Sequence, residues 1–120
     1  MYFTDREKGA ILHLTGVMVA ADGVFAEEEK KMVVAIAATI GENGNGAKLA
    51  QNMNDSEALA IVNAMTADEK RFVCSALGAL IAIDGNVDKR EMLVWNLISH
   101  RCSFPEMNVL NAIDIFQSYL

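Results

Sequence analysis

Proline occurs once in 120 residues, at Pro105, so almost nothing in the chain forbids long helices. Cysteine occurs twice, as Cys74 and Cys102, too sparse and too widely spaced for a disulfide scaffold or a zinc knuckle. A reducing cytoplasm is the compartment that fits such usage. No apolar run approaches the roughly 20 residues that a bilayer demands. The longest, Met32 to Ile40 and Val73 to Ile83, stop well short, so no membrane span is expected. Met1 to Lys8 shows no basic stretch leading into an apolar one, and no signal peptide is expected. Positive charge is also scarce. Ten basic against 16 acidic residues leave a net charge of −6, without a basic patch interleaved with aromatics. Phosphate backbones would be repelled, so nucleic acid is not an expected partner.

What is abundant is apolar: 52% hydrophobic residues beside 22% charged ones exclude a disordered chain. The length suits one domain with a real core, spanning residues 1–120. Only 7% of residues are aromatic, while Ala, Leu, Ile and Met are common, a balance that favours an all-α fold.

Sliding the sequence against itself by 62 residues aligns 4–36 with 66–98 without a gap, and nine of 33 pairs are identical. These are Thr4/Thr66, Glu7/Glu69, Lys8/Lys70, Gly16/Gly78, Ala20/Ala82, Asp22/Asp84, Gly23/Gly85, Glu29/Glu91 and Ile36/Ile98. The identities fall at helix starts, turns and small-residue positions, where backbone geometry restricts the choice of residue. The expected architecture is therefore about seven helices containing a pseudo-two-fold repeat of helix, Asp-Gly turn and helix, with units 4–36 and 66–98.

Each unit opens with a capping box, Thr4-Asp5-Arg6-Glu7 or Thr66-Ala67-Asp68-Glu69. The helices that follow, near 5–21 and 67–83, carry Ile11, Leu14, Met18 and Ala21, then Val73, Leu77, Leu80 and Ile83, at core spacing. Gly16 with Ala20 and Gly78 with Ala82 predict close helix crossings, with the two helices meeting near a pseudo-two-fold axis. Both helices stop at Asp-Gly, where glycine can close a helix in the left-handed conformation. The next helices begin near Ala26 and Asp88 and bury Met32, Val33 and Ile36, then Leu93, Leu97 and Ile98. Glu42 to Gly46 reads as a flexible loop, followed by short helices near 47–53 and 56–65. Ser103-Phe104-Pro105-Glu106 reads as a further capping box, opening a last helix with Val109, Leu110, Ile113 and Phe116 on one stripe.

Chemistry concentrates at the Asp-Gly turns. An aspartate in the last turn of a helix opposes the helix dipole, which favours cations there by about 0.3–1 kcal/mol. Asp22 and Asp84 therefore need compensation. Two sources are open: hydrogen bonds from the turn and the next helix, which is the leading reading, or a divalent cation, which suits clustered carboxylates. Asp84, Asn86 and Asp88 mimic the first three ligand positions of an EF-hand, but Lys89 and Trp95 stand where its glycine and bidentate glutamate belong. An EF-hand is excluded. Glu27-Glu28-Glu29 suits a helix start. His13 reads as a solitary half-buried histidine, since metal sites need several convergent ligands. His100-Arg101 beside Cys102 could lower a thiol pKa, yet no base and orienting group complete a catalytic set. Cys74 reads as core. Met53, Met65 and Met107 are either filler or the lining of a groove.

The segments Val19-Ala20-Ala21-Asp22-Gly23-Val24-Phe25-Ala26-Glu27-Glu28-Glu29 and Ile81-Ala82-Ile83-Asp84-Gly85-Asn86-Val87-Asp88-Lys89-Arg90-Glu91 resemble the TerB-like helical domains of bacterial tellurite resistance. The resemblance covers nearly the whole chain, and Ala26 departs from it where an acidic or hydroxyl residue is usual. It implies a cytoplasmic, non-enzymatic domain linked to metal or stress response, holding a metal through acidic residues. By position these are Asp22 and Glu29 in the first unit, and Asp84, Asp88 and Glu91 in the second. The leading expectation is a protein-interaction module, with a divalent-cation module as the alternative.

Overall fold

The computed structural model of the chain describes residues 1–120. Seven helices follow one another without a strand: α1 (Asp5–Ala20), α2 (Glu27–Thr39), α3 (Asn45–Asn52), α4 (Asp55–Asn63), α5 (Ala67–Ala82), α6 (Lys89–Cys102) and α7 (Val109–Gln117). No helix is long and apolar enough to cross a membrane.

Both expected capping boxes form. Thr4 Oγ1 accepts from Glu7 N at 3.1 Å while Glu7 Oε1 accepts from Thr4 N at 2.9 Å. Thr66 and Glu69 do the same at 3.2 and 2.9 Å. Such caps satisfy amide groups that a helix start leaves unpaired, worth about 1 kcal/mol each. At the other ends Gly23 and Gly85 take φ of 75° and 77°, the left-handed conformation that stops each helix.

The core is organised around α5, ten of whose sixteen residues are buried. Phe72 sits at its N-terminal end, with its ring centroid 5.7 Å from Phe3, 5.8 Å from Phe116 and 5.3 Å from Tyr119. It thereby ties the segment before α1 and the last helix to the centre. Ile11, Leu14, Met18, Met32, Ile36, Val73, Leu77, Leu80 and Ile98 are buried as their spacing predicts. Met53 and Met65 are buried in the same cluster and are filler rather than groove lining.

Several expectations need correction. Leu93, Leu97 and Leu110 are 61%, 59% and 71% exposed. The face of α6 turned inwards carries Glu91, Trp95, Ile98 and Cys102 instead. Trp95 takes the buried position because its Nε1 can donate to Cys74 O, at 3.2 Å. The capping box expected at Ser103 does not form. Ser103 ends α6 with φ of 56°, and Phe104 N donates back to Ser99 O at 2.9 Å. Helix α7 begins only at Val109, where the Oδ1 of its cap Asn108 accepts from Leu110 N. Glu42 to Gly46 is not a loose loop either. The Glu42 carboxylate accepts from the amides of Asn43, Gly46 and Ala47, docking onto the start of α3.

The two internal glycines also differ. A Cβ on Gly78 would lie 2.8 Å from both Ala112 Cβ and Trp95 Cζ2, so it is α7 and α6, not α1, that press against it. Gly16 is exposed, with nothing within 4 Å of its missing Cβ. The expected crossing of α1 and α5 at their glycines is therefore absent. Close approach to α1 comes instead from α3, where Gly9 faces Gly46 O and Leu49. Gly16→Ala should stabilise the chain by up to about 1 kcal/mol, the usual helix preference for alanine. A fall in urea midpoint for that variant would show that Gly16 has a role this packing does not reveal.

Candidate functional site: two buried glutamates between acidic turns

The acids nominated by the sequence lie within electrostatic reach of one another, and they divide into different roles. Asp22 and Asp84 close their turns: Oδ1 accepts from Val24 N in one and from Asn86 N in the other, both at 2.9 Å. The cap reading is thus correct for one oxygen of each, and each Oδ2 is left without a hydrogen bond from the chain.

Asp88 is fully engaged. Its Oδ1 accepts from Arg90 N at 2.7 Å and Glu91 N at 3.4 Å, and its Oδ2 meets Arg90 Nη2 at 3.1 Å. The hydrogen bonds from Arg90 hold its carboxyl below the usual range. Asp88 is a helix cap with both oxygens already engaged.

Glu29 and Glu91 stand apart from these. Each is at the third position of its helix, on the first turn of α2 or α6. They are 2% and 3% exposed, whereas Glu27 and Glu28 beside Glu29 are solvated. Glu29 Oε1 accepts from Ala26 N at 3.2 Å, the half of a capping box that an alanine cap can still make. Glu29 Oε2 and Glu91 Oε2 are buried with no hydrogen-bond partner. A buried, unpaired carboxylate oxygen is costly, and proteins seldom retain one without a compensating partner.

The electrostatics follow from this placement. Glu91 is pushed up to about 7, first by burial and then by the charges of Asp22, Glu29, Asp88 and Asp84. Glu29 is raised by burial, against the pull of the Ala26 amide, and further by Asp22 and Asp84. Acids from both turns therefore act on both glutamates. Arg90 feels Asp88 most strongly and Asp22 and Glu91 as well, so one cation stands at the edge of the cluster. No three of these side chains converge closely enough to hold an ion without adjustment. The oxygens are of the right kind for a hard cation, and two of them are buried without a partner; the turns must draw inwards to surround one.

The other candidates resolve into structure. His13 Nε2 meets Asp55 Oδ1 at 2.6 Å and Nδ1 meets Ala50 O at 3.1 Å, which ties α1 to α3 and α4. Burial lowers its pKa, but the Asp55 and Ala50 contacts outweigh that and raise it. The partner Asp55 was not legible in the sequence, because it lies 42 residues away on another helix. Cys74 and Cys102 are buried thiols pushed up to about 11 by burial. The positive neighbours of Cys102 do not overcome that, so it is no nucleophile at neutral pH. The largest cleft, about 600 Å³, lies elsewhere, between α6 and residues 104–108, over Trp95, Ser99, His100 and Phe104. It contains neither of the unpaired glutamates.

No family model matches the chain, and no curated protein matches it. Among solved structures, the crystal structure of PG1108, a protein of unknown function from Porphyromonas gingivalis W83, superposes with a TM-score of 0.83 at 31% identity. The match covers 98% of this chain and 92% of the other. Identity at this level across nearly the full length of both shows common descent, and the chain belongs to the same family as this Porphyromonas gingivalis protein.

Proposed function

We propose that the domain is a non-enzymatic module that binds a divalent cation between its two Asp-Gly turns. The observation that carries this reading is the pair of buried, unpartnered oxygens on Glu29 and Glu91. With the free oxygens of Asp22 and Asp84 they form an all-oxygen, all-carboxylate set, the chemistry preferred by calcium and magnesium over softer metals. A divalent ion would offset the charge repulsion and the desolvation that raise both glutamates. The TerB-like resemblance of the turn segments agrees with it.

Thermal unfolding in chelator, then in calcium, magnesium, manganese or zinc, tests the proposal. An ion at about 100 times its dissociation constant adds roughly 2.7 kcal/mol, a shift of several degrees for a domain this size. The shift should vanish in Glu29→Gln with Glu91→Gln and persist in Asp88→Asn. No shift with any ion would overturn it.

The interaction reading keeps one specific observation in its favour. Leu93 and Leu97 are exposed one turn apart on α6, an apolar surface of the kind that partners cover. Loss of self-association or partner capture in Leu93→Glu would support it, and a strictly monomeric chain with no partner would count against it.

A further inference from the structure

Of the two helices that carry the buried glutamates, α6 is firmly anchored and α2 is not. Trp95 Nε1 donates to Cys74 O of α5 at 3.2 Å, and Cys102 Sγ reaches Leu59 O of α4 at 3.6 Å. At the position matching Trp95, α2 has the half-buried Val33. Only Glu29, Met32 and Ile36 of its thirteen residues are buried. Its side-chain hydrogen bonds stay local: Glu29 to Ala26, Lys30 to Glu27, and Thr39 to Ala35. One of the three fully buried residues of α2 is thus a carboxylate with an unpaired oxygen, whose burial opposes docking as long as it is ionised and alone.

We propose that the cation acts as a clamp on α2, drawing its N-terminal half against the fixed start of α6 through Glu29 and Glu91; this rests on the cation-binding reading above. The acids do not yet converge around one point. Capture therefore needs an inward shift, and the weakly tethered helix is the one able to supply it. A ligand shifts a conformational equilibrium only by its differential affinity for the two states. The ion has that difference, because only the docked position of α2 presents Glu29 together with Glu91. Helix α2 also walls a groove of about 280 Å³ with Met32 and Ala35, opposite Ile83 and Phe116, so ion occupancy sets the width of that groove.

Amide hydrogen exchange on the full chain, with calorimetry on the same samples, tests the clamp with calcium and then magnesium as probes. In chelator, the amides of 30–38 should exchange faster than those of 92–100. At ion concentrations about 100 times the measured dissociation constant they should slow about 100-fold, since local opening then requires release of the ion. In Glu29→Gln, which keeps an oxygen for the Ala26 amide, the slowing should be lost. Binding heat with unaltered α2 exchange would overturn the clamp while leaving the cation site standing. Exchange in α2 already as slow as in α5 without ion would also overturn it. No binding heat with either ion would remove the cation site, and the clamp with it.

Discussion

In chelator, Glu91→Gln should be more stable than the parent chain at pH 8 by about 2–3 kcal/mol, with the difference closing below about pH 4.5. The reason is proton linkage. The carboxyl of Glu91 titrates at about 7 in the folded chain, against 4.5 for an ordinary glutamate. Between those values the folded state binds more protons than the unfolded state, so stability falls as pH rises, and the loss is complete above about 7. Every tenfold gain in proton affinity on folding corresponds to about 1.4 kcal/mol. Glutamine mimics the neutral form and removes the dependence. His13 acts in the same direction: its raised pKa contributes stability that is present below its unfolded value and is lost as pH rises through the folded one. Comparison of variant and parent across pH isolates the Glu91 part. Saturating cation should reverse the order, because the parent then gains the ion and the variant does not. A Glu91→Gln protein less stable than the parent in chelator at every pH would mean that the carboxylate makes a favourable contact absent from this geometry.

Gly78→Val should cost about 3 kcal/mol, the upper part of the range for overpacking a filled core. A single added carbon would already stand 2.8 Å from the Ala112 side chain of α7 and from the Trp95 ring of α6. Both neighbours belong to packed helices, and Trp95 is pinned by its bond to Cys74 O, so neither can yield cheaply. The effect should appear in urea unfolding and as altered fluorescence of Trp95, the single tryptophan. Its matched position responds oppositely, since Gly16 faces open space. Equal costs at positions 16 and 78 would contradict this packing.

Helix identity was legible because it is decided locally. The Thr-x-x-Glu boxes and the Asp-Gly stops each act within a few residues, and there the expectations held. Where they failed, a competing bond or the packing of another helix decided. Ser103-Phe104-Pro105-Glu106 has the letters of a capping box, but Ser103 serves instead to end α6, and Asn108 takes over as the cap of α7. Glu42 looked like a solvated loop residue, and only the fold brings the amides of Gly46 and Ala47 to its carboxylate. Leu93 and Leu97 have the spacing of a buried stripe, yet that periodicity fits either side of Trp95, and the packing surface of α5 chose the tryptophan side.

The candidate site divides along the same line. The resemblance of the two turn segments to TerB-like domains nominated Asp22, Glu29, Asp84, Asp88 and Glu91, four of which also recur as identical acids in the repeat. Their local duties were also within reach, since a cap or an Asx turn is made within three residues. Sequence could not separate Asp88, fully bonded to its own helix start, from Glu91, three residues on and buried with an unpaired oxygen. Nor could it distinguish buried Glu29 from solvated Glu27 and Glu28 in one acidic run. Helix composition and caps are short-range and written in neighbouring residues. Burial and charge coupling between the two turns depend on how distant segments pack, and only the tertiary structure decides them.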